Sequence, residues 1–246
     1  MAAAVEGVPF MSRAEGRIVY EHVRRDRPEA VLDLGTAHGV SSAYIAAALE
    51  ANGSGGVTTV ESSVVRFEDP TAEELLDRVG LTHRVAIDRS FSTYTWFLKE
   101  RIEARSDAAG NCEPLYDFCY LDGAKDWTTD GLAVVLVEKL LRPNGWLLID
   151  DLDWTFASVR DDEIGLINIA RLSERERRQP HLRAVFDLIV KQHPSFTELR
   201  IQDGWWGWAR KAPGEPRRLS LETRRSIGSF VVSGLRWAKR RVAERV

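Results

Sequence analysis

Acidic side chains follow two short apolar runs in the second half of the chain. Asp122 comes directly after the run YDFCYL, and the pair Asp150 and Asp151 comes directly after WLLI. If both runs are neighbouring strands of one parallel sheet, their ends lie about 4.8 Å apart. Carboxylates held so close raise one another's pKa unless a cation lies between them, and oxygen ligands of this kind suit Mg²⁺. The pattern therefore predicts a magnesium site at Asp122, Asp150 and Asp151. The alternative is that Asp150 and Asp151 cap a turn while Asp122 contacts a cofactor or solvent.

A lysine stands close to the first of these acids. Lys125 follows Asp122 in the segment DGAKDW. A phenolic hydroxyl has a pKa of about 10, so its oxygen needs help to ionise near neutral pH. A metal ion favours that ionisation, and a lysine can accept the proton if a nearby cation and partial burial lower its own pKa. Lys125 and Asp122 are therefore the predicted catalytic residues, and a solvated surface lysine is the open alternative.

A turn that contains glycine follows an earlier apolar run, in the segment DLGTAHGVS. Gly35 and Gly39 permit a tight turn and a close approach of the backbone to a ligand. Ser41, at the start of the next predicted helix, can hydrogen-bond a carboxylate attracted by free backbone N–H groups. Glu61 ends the following apolar run, where its carboxylate can accept hydrogen bonds from both hydroxyls of a ribose. The turn lacks the G-x-G-x-x-G pattern of dinucleotide-binding domains, and His38 within it is predicted to be a solvated loop residue.

These segments belong to a regular alternation of strand and helix patterns. Five strand-then-helix units predict a parallel sheet covered on both faces, because right-handed crossovers place helices there. Ligands of such sheets bind outside the carboxyl ends of the strands, near the point where the strand order reverses. Two last strand patterns flank Gln202-Asp203-Gly204 and predict an antiparallel hairpin. Arg142–Gly145 is predicted to stop the helix at 132–141. The predicted strands are 30–34, 57–60, 84–87, 116–121, 146–149, 196–201 and 205–209, and the predicted helices are 12–27, 41–51, 71–79, 92–105, 132–141 and 182–192.

The elements divide the chain into three parts. Residues 1–29 form an N-terminal helical cap, whose helix begins at a capping-box serine, Ser12. Residues 30–212 form the α/β domain, in which 152–181 is a charged, lid-like insertion expected over the active face. Residues 213–246 form a tail with nine basic and three acidic residues, whereas the whole chain has a net charge of −3. Apolar residues recur in this tail at helical spacing, so it is a candidate docking element.

Composition excludes several classes of protein. No run in the 246 residues approaches the roughly 18 apolar residues of a membrane-spanning helix. The start, MAAAVEGVPF, lacks the basic and apolar regions of a signal peptide. Cys112 and Cys119 lack metal-ligand spacing, and so few cysteines are typical of a reducing compartment. Since no nucleic-acid motif is present either, we expect a cytoplasmic protein that acts on a small molecule.

The glycine turn, the acid after the second strand, the strand order and the hairpin resemble those of the class I S-adenosylmethionine-dependent methyltransferases. The resemblance covers about residues 12–211. It implies a Rossmann-like, seven-stranded, mostly parallel sheet with a C-terminal antiparallel hairpin and helices on both faces. It also implies contacts to S-adenosylmethionine from Gly35, Gly39 and Ser41 at the methionine portion, from Glu61 at the ribose, and from Ser90 near the adenine, with Thr36, Asp88 and Asp122 as further neighbours.

A closer resemblance rests on the acidic motifs. The spacing D-x-x-K after the fourth strand, joined to D-D after the fifth, resembles the metal-dependent O-methyltransferases of the catechol and caffeoyl-CoA type and of the antibiotic-sugar type. This implies that Asp122, Asp150 and Asp151 bind Mg²⁺ and that Lys125 serves as the base. The chain departs from the catechol type by having Asp151 where that type has asparagine, and by its charged insertion, so the resemblance does not extend to catechol as the acceptor.

Aromatic residues near the acidic pair are candidates for an acceptor pocket. We expect Trp127 and Trp154 to line it, and Trp154 most directly because it follows the pair. The run Trp205–Trp208 is expected to pack in the core, since alternate residues of a strand point to opposite faces. The basic tail is expected to dock on its own domain or to form a homodimer contact, with an anionic membrane surface as the alternative.

Together these patterns predict a methyltransferase that uses S-adenosylmethionine and Mg²⁺. Its predicted reaction is O-methylation of a hydroxyl on a small aromatic or sugar-containing acceptor, in specialised metabolism. One alternative is a metal-independent N- or O-methyltransferase that acts by proximity alone. The other is a cofactor-binding interaction protein without catalysis.

Overall fold

The computed structural model describes residues 3–159, 172–215 and 218–222. Short 3₁₀ turns at Thr82–Arg84 and Phe156–Ser158 accompany the regular elements, and a π-helical turn at Phe186–Val190 continues the last helix. The helices are α1 (Arg13–Asp26), α2 (Val40–Asn52), α3 (Ala72–Arg78), α4 (Tyr94–Ala104), α5 (Trp127–Leu140), α6 (Glu174–Arg177) and α7 (His181–Val185), and the strands are β1 (Ala30–Leu34), β2 (Gly56–Val60), β3 (Val85–Asp88), β4 (Tyr116–Leu121), β5 (Leu141–Ile149), β6 (Phe196–Gln202) and β7 (Trp206–Lys211).

The seven strands form one sheet in the order β3-β2-β1-β4-β5-β7-β6. Strands β1 to β5 pair in parallel, and β7 pairs antiparallel with both β5 and β6. This confirms the predicted α/β fold, including its C-terminal antiparallel hairpin. The chain runs outward from β1 to β3 and then returns to place β4 beside β1. The strand order therefore reverses between β1 and β4, which is where ligands of such sheets bind.

Helices cover both faces of the sheet and bury two apolar clusters. One cluster joins the sheet to α4, α5 and α7, through residues such as Phe97, Val134 and Val185. The other joins the opposite face to α1, α2 and α3, through residues such as Val19 and Ile45. Burial of apolar side chains on both faces is what a parallel sheet requires for stability.

The capping box predicted for α1 is confirmed. The Ser12 hydroxyl accepts a hydrogen bond from the backbone of Glu15, and the Glu15 carboxylate accepts one from the backbone N–H of Ser12. The same arrangement starts α3, where Thr71 and Glu74 are the partners. Because α1 runs antiparallel to β1, its first turn lies at the sheet edge that carries the strand ends.

Three predicted boundaries were wrong. Helix α5 begins at Trp127 rather than at residue 132, because the Asp126 carboxylate caps it through the backbone N–H groups of Thr128 and Thr129. Strand β5 begins directly at the end of α5, so Arg142–Gly145 lies within the strand, where the register with β4 shifts. The last helix is α-helical only to Val185 and continues as the π-helical turn.

Parts of two predicted segments lie outside the described residues. These are residues 160–171 of the insertion, and residues 216–217 and 223–246 of the tail. At the described start of the tail, the backbone of Leu219 exchanges two hydrogen bonds with the Asn111 side chain. Among the helices of the described ranges, none is long and apolar enough to cross a membrane.

Candidate functional site

The glycine turn, which follows β1 and contains Gly35 and Gly39, is in direct contact with the acidic turn, which follows β4 and carries Asp122 and Lys125. The backbone N–H of Asp122 donates to the carbonyl of Leu34 at 2.9 Å, and that of Gly35 donates to the carbonyl of Val60 at 3.0 Å. Gly35 has φ +112°, and a Cβ at this position would lie 2.1 Å from the Asp122 carbonyl oxygen. Only glycine fits this conformation and this contact. The end of β1 is thereby fixed against both of its neighbouring strands.

The buried carboxylate of Asp33, in β1, supports the glycine turn that follows the strand. One oxygen of Asp33 accepts hydrogen bonds from the hydroxyls of Ser41, Ser42 and Thr59, at 3.0, 2.5 and 3.2 Å. Complete burial raises the pKa of Asp33 to about 7, although these hydroxyls act in the opposite direction. The Thr36 hydroxyl lies 2.8 Å from that of Thr59. The side chains of Ser41 and Thr36 thus face the protein interior, so their predicted contacts to a cofactor would involve the backbone of the turn.

Glu61 lies beside the same turn, at the end of β2. Its two carboxylate oxygens accept hydrogen bonds from the backbone N–H groups of Ala37 and Ser62, at 2.9 and 2.8 Å. Its own backbone N–H donates to the carbonyl of Asp88 at 2.9 Å, and the Asp88 carboxylate accepts from the backbone of Ser90 at 2.9 Å. Each oxygen of Glu61 retains capacity for a further hydrogen bond. The predicted ribose and adenine contacts are therefore neighbours along one sheet edge.

The acids after β4 and β5 converge on a lysine. The Lys125 ammonium donates to a carboxylate oxygen of Asp122 at 2.9 Å, and it forms an ion pair with Asp151. The Asp150 carboxylate accepts hydrogen bonds from the Tyr120 hydroxyl and, at 2.7 Å, from the backbone of Asp151. The structure thus brings together four residues that the sequence predicts for catalysis and metal binding.

These groups perturb one another's protonation. Burial raises the pKa of the Asp150 carboxyl, and the charge of Asp122 raises it further. Burial acts to lower the pKa of Lys125, but the carboxylates around it, Asp122 foremost with Asp150 and Asp130, together outweigh burial, so the pKa of Lys125 is raised. The sequence hypothesis requires a lowered pKa for Lys125, and in this arrangement the shift has the opposite sign. In the described part of the chain, no three acidic, histidine or cysteine side chains surround one point as a metal centre requires.

A buried tyrosine that the sequence analysis did not single out holds the acidic turn. The Tyr94 hydroxyl accepts a hydrogen bond from the backbone N–H of Ala124 at 3.0 Å and donates one to Asp130. A Cβ on Gly123 would lie 2.4 Å from the Tyr94 ring. Lys125 follows in a left-handed conformation, with φ +59°. Tyr94 therefore fixes the backbone on which Asp122 and Lys125 are carried.

The two predicted pocket tryptophans have different surroundings. The ring of Trp154 lies 5.7 Å from the Lys125 amino group and meets the ring of Phe156 edge-on at 4.7 Å. Trp127 is the first residue of α5, its side chain is exposed, and its backbone N–H donates to His181 at 3.1 Å. The structure places Trp154 against the acidic cluster. Lining of an acceptor pocket remains a prediction for both residues.

Core packing of the last tryptophan run is confirmed for two of its members. Trp206 and Trp208 are buried, whereas Trp205 is partly exposed. Trp208 contacts the buried His22 ring at 4.7 Å between ring centroids. These residues stabilise the sheet from the side that carries α1.

His38 is buried, so its assignment as a solvated loop residue was wrong. Its ring nitrogen lies 2.7 Å from the carbonyl oxygen of Pro70. The ring stacks on Phe10 at 5.6 Å and meets Phe67 edge-on at 5.3 Å. The exposed Phe10 ring shields His38 from solvent, and this contact links the N-terminal segment to the glycine turn.

Comparisons with known proteins agree with this geometry. Residues 32–152 match the sequence model of a family described as a methyltransferase domain. Among solved structures, an O-methyltransferase from Bacillus cereus in complex with S-adenosylhomocysteine shares 21% identity over 85% of this chain and 86% of its own, with a TM-score of 0.58. The S-adenosylhomocysteine-bound methyltransferase PaMTH1 from Podospora anserina shares 18% identity over 85% and 84%, with a TM-score of 0.58. The O-methyltransferase TomG from Streptomyces achromogenes, involved in tomaymycin synthesis and in complex with S-adenosylmethionine, shares 18% identity over 86% and 87%, with a TM-score of 0.57.

The sheet order and these structural neighbours define the fold as that of the class I methyltransferases. The family match over residues 32–152, together with this fold, supports a methyltransferase. A comparison with curated protein sequences found no match.

Proposed function

We propose that the protein transfers a methyl group from S-adenosylmethionine to a hydroxyl oxygen of a small molecule. The observation that carries this proposal is the contact between the glycine turn and the acidic turn at the reversal of strand order. In this contact Gly35 packs against the backbone of Asp122, and the carboxylate of Asp122 accepts a hydrogen bond from Lys125. A donor over the first turn would lie beside an acceptor held at the second. The S-adenosylhomocysteine and S-adenosylmethionine bound in two of the structural neighbours support the choice of donor.

The proposed cofactor site follows the ends of β1, β2 and β3. Glu61 would accept the ribose hydroxyls, since both of its oxygens have lone pairs left beyond their backbone hydrogen bonds. The backbone of Gly35 and Gly39 would border the methionine portion, and Asp88 and Ser90 would lie at the adenine end. The acidic turn, which follows β4, would form the remaining wall of this proposed site.

The acidic cluster fits a divalent cation by its donor chemistry. Asp122, Asp150 and Asp151 offer only carboxylate oxygens, the ligands that Mg²⁺ prefers. The Lys125 ammonium lies between two of them and marks the point at which they direct negative charge. We propose that Asp122, Asp150 and Asp151 would hold Mg²⁺ if Lys125 moved from this position and the three carboxylates, which do not surround one point here, turned toward a common centre. When bound there, the ion would supply a positive charge that favours ionisation of the acceptor hydroxyl.

The chain's own contribution to the reaction is alignment. The oxygen–methyl bond forms as the sulfur–methyl bond breaks, the acceptor hydroxyl gives its proton to water, and S-adenosylhomocysteine leaves. Holding oxygen, methyl carbon and sulfur in line contributes as much as about 7–11 kcal/mol in favourable cases. Fixed backbone contacts between the two turns supply this rigidity. Lys125 would contact the acceptor oxygen, and Trp154 beside it would border the acceptor.

A metal-independent mechanism is the second candidate, and one observation favours it. Lys125 already places a cation between Asp122 and Asp151. That charge could stabilise an acceptor oxyanion without Mg²⁺. The same geometry would serve a nitrogen acceptor, because alignment alone carries much of the rate.

Methyl transfer with and without metal distinguishes the candidates. Purified protein would receive methyl-labelled S-adenosylmethionine with a panel of catechols, phenolic acids, flavonoids, glycosides and amines, in EDTA and again with added Mg²⁺. The metal-dependent reaction predicts loss of transfer to hydroxyls in EDTA and recovery with Mg²⁺. Equal rates in EDTA and in Mg²⁺ would contradict a metal requirement. Transfer to amines alone would contradict O-methylation.

Variants then assign the residues. Asp150→Ala should abolish Mg²⁺-dependent transfer, and Lys125→Met should lower kcat while the affinity for S-adenosylhomocysteine changes little. Lys99→Met is the matched control, because Lys99 is a surface lysine paired with Glu103 on α4. If Lys125→Met and Lys99→Met behave alike, Lys125 has no role in the chemistry.

We further propose that the basic tail forms a homodimer contact and that the protein works in the cytoplasm on a small metabolite of specialised metabolism. The tail proposal is tested by light scattering of the full chain beside a chain that ends at residue 212. A monomer in both cases would contradict it.

A further inference from the structure

Strand β6 lies at a free edge of the sheet. It is the last strand in the order β3-β2-β1-β4-β5-β7-β6, and in the described part of the chain β7 is the only strand that pairs with it. Five consecutive residues of β6, 197–201, have exposed side chains, so neither face of the strand is covered there. The outer backbone groups of such an edge strand can pair with a strand of another molecule.

One face of this edge is apolar. Leu199 and Ile201 point to the same face, since side chains alternate along a strand, and they are 40% and 42% exposed. Ile201 pairs with Gly207 of β7, where an added Cβ would lie 2.6 Å from the ring of Phe186. This is therefore the face on which the last helix packs, and the apolar surface continues beyond that helix to the edge of the sheet.

The other face of the edge carries two opposite charges. The carboxylate of Glu198 forms an ion pair with Arg210 of β7 at 2.9 Å. The guanidinium of Arg200 lies 5.1 Å from the ring of Trp208. Among the residues that the structure describes, no acid forms an ion pair with Arg200. A lone charge on an edge strand opposes pairing with a second strand, whereas two opposite charges two residues apart can match a second copy of themselves.

The positions of these charges select one register for a second copy. When two copies of one strand pair antiparallel about a two-fold axis perpendicular to the sheet, residues directly opposite each other lie on the same face. An axis at Leu199 sets Glu198 opposite the partner's Arg200, and Arg200 opposite the partner's Glu198. An axis at Glu198 or at Arg200 would instead set that charge opposite itself, which is destabilising.

We propose that β6 is a homodimer interface, at which a second copy of the chain adds its own β6 antiparallel with Leu199 at the two-fold axis. The sheet then continues through both subunits, with two ion pairs on one face and paired apolar side chains on the other. Strands β5 and β7 separate this edge from the turns after β1 and β4, so the proposed cofactor site stays accessible. The interface is distinct from the contact proposed for the tail, whose described start is bound at Asn111, in the loop before β4.

Charge reversal tests the pairing. Pairing of two edge strands buries less than a standard interface, so we expect a weak dimer, which sedimentation of the full chain over a range of concentrations would measure. Arg200→Glu and Glu198→Arg each set like charges opposite each other twice. Each should raise the Kd of the dimer at least about 10-fold. An equimolar mixture of the two variants restores both pairs of opposite charge, so it should dimerise more tightly than either variant alone.

Glu100→Arg is the matched control, because Glu100 is an exposed glutamate on α4, away from β6. It should self-associate as the wild type does. Circular dichroism of each variant checks that the fold is retained. Arg200→Glu also leaves the ion pair between Glu198 and Arg210 within the subunit intact.

A crosslink tests the register. Directly opposite residues of antiparallel strands have Cα atoms about 4.5–5.5 Å apart, within the range that a disulfide spans. Leu199→Cys should therefore form a disulfide dimer on mild oxidation, in a Cys112→Ser background that removes the partly exposed native cysteine. Ile201→Cys is the control, because two copies of position 201 would lie about 13 Å apart and should not crosslink.

A wild-type chain that stays monomeric at every concentration would overturn the inference, as would a dimer that neither charge reversal weakens. Association through the tail alone would give the second result. A mixture no tighter than the separate variants, or equal crosslinking at positions 199 and 201, would contradict the register. None of these measurements involves methyl transfer, so their outcome is independent of the proposed function.

Discussion

Replacing Gly35 by alanine tests the contact between the two turns that form the site. Gly35 has φ +112°, and the added Cβ would lie 2.1 Å from the carbonyl oxygen of Asp122, 2.7 Å from its carbonyl carbon and 2.9 Å from the Cα of Gly123. All three atoms belong to the backbone, so a change of side-chain rotamer cannot relieve the contact. The two turns would have to move apart.

The expected cost has two parts. A residue other than glycine in the left-handed region costs about 1–2 kcal/mol. Forcing an additional carbon into a packed position costs about 1–3 kcal/mol more. Gly35→Ala should therefore lower the free energy of unfolding by about 2–5 kcal/mol, which urea denaturation measures. It should also weaken S-adenosylhomocysteine binding in calorimetry, because the turn that borders the proposed cofactor site is displaced.

Gly53→Ala is the matched control. Gly53 has φ +81°, but no atom lies within 4 Å of an added Cβ. This variant should show only the conformational part, about 1–2 kcal/mol, and normal cofactor affinity. If Gly35→Ala is no more destabilising than Gly53→Ala and binds S-adenosylhomocysteine as the wild type does, the close contact between the turns does not exist in solution.

Two further predictions concern the buried pair behind the acidic turn. Tyr94→Phe removes the hydrogen-bond partner of the Ala124 N–H and one partner of the Asp130 carboxyl, and should cost about 1–3 kcal/mol in urea unfolding. Tyr20→Phe, at a partly buried tyrosine, should cost little. Burial raises the pKa of Asp130 to about 7 from 3.8, so the folded protein binds the extra proton and its stability falls as pH rises from about 4 to 7. Asp130→Asn should make the free energy of unfolding less dependent on pH over that range, and an unchanged slope would contradict the assignment.

The parts of the fold that follow from local patterns were predictable from the sequence. Strand β1 was predicted with its observed bounds, because apolar runs of this kind, bounded by turn residues, are buried in parallel sheets. The capping box of Ser12 and the hairpin of β6 and β7 also depend on neighbouring residues alone. The start of α5 was missed because an Asp126 cap competes with an apolar period that becomes regular only later.

The candidate site was predictable where it depends on strand ends. Asp122 and Asp151 meet at Lys125 because β4 and β5 are neighbours. The pairing of Tyr94 with Asp130 had no sequence signal, since it depends on how α4 packs against α5. A signal for Asp33 was present, because a carboxylate within a buried strand needs hydrogen-bond partners.

A crystal structure with S-adenosylhomocysteine and Mg²⁺ tests the central claim most directly. We predict that the ribose hydroxyls contact Glu61 and that the sulfur faces the turn carrying Asp122 and Lys125. Density for the metal at Asp122, Asp150 and Asp151 would accompany it in the metal-dependent mechanism. Binding of S-adenosylhomocysteine away from the ends of β1 and β4, or with its sulfur directed away from Asp122, would contradict the account.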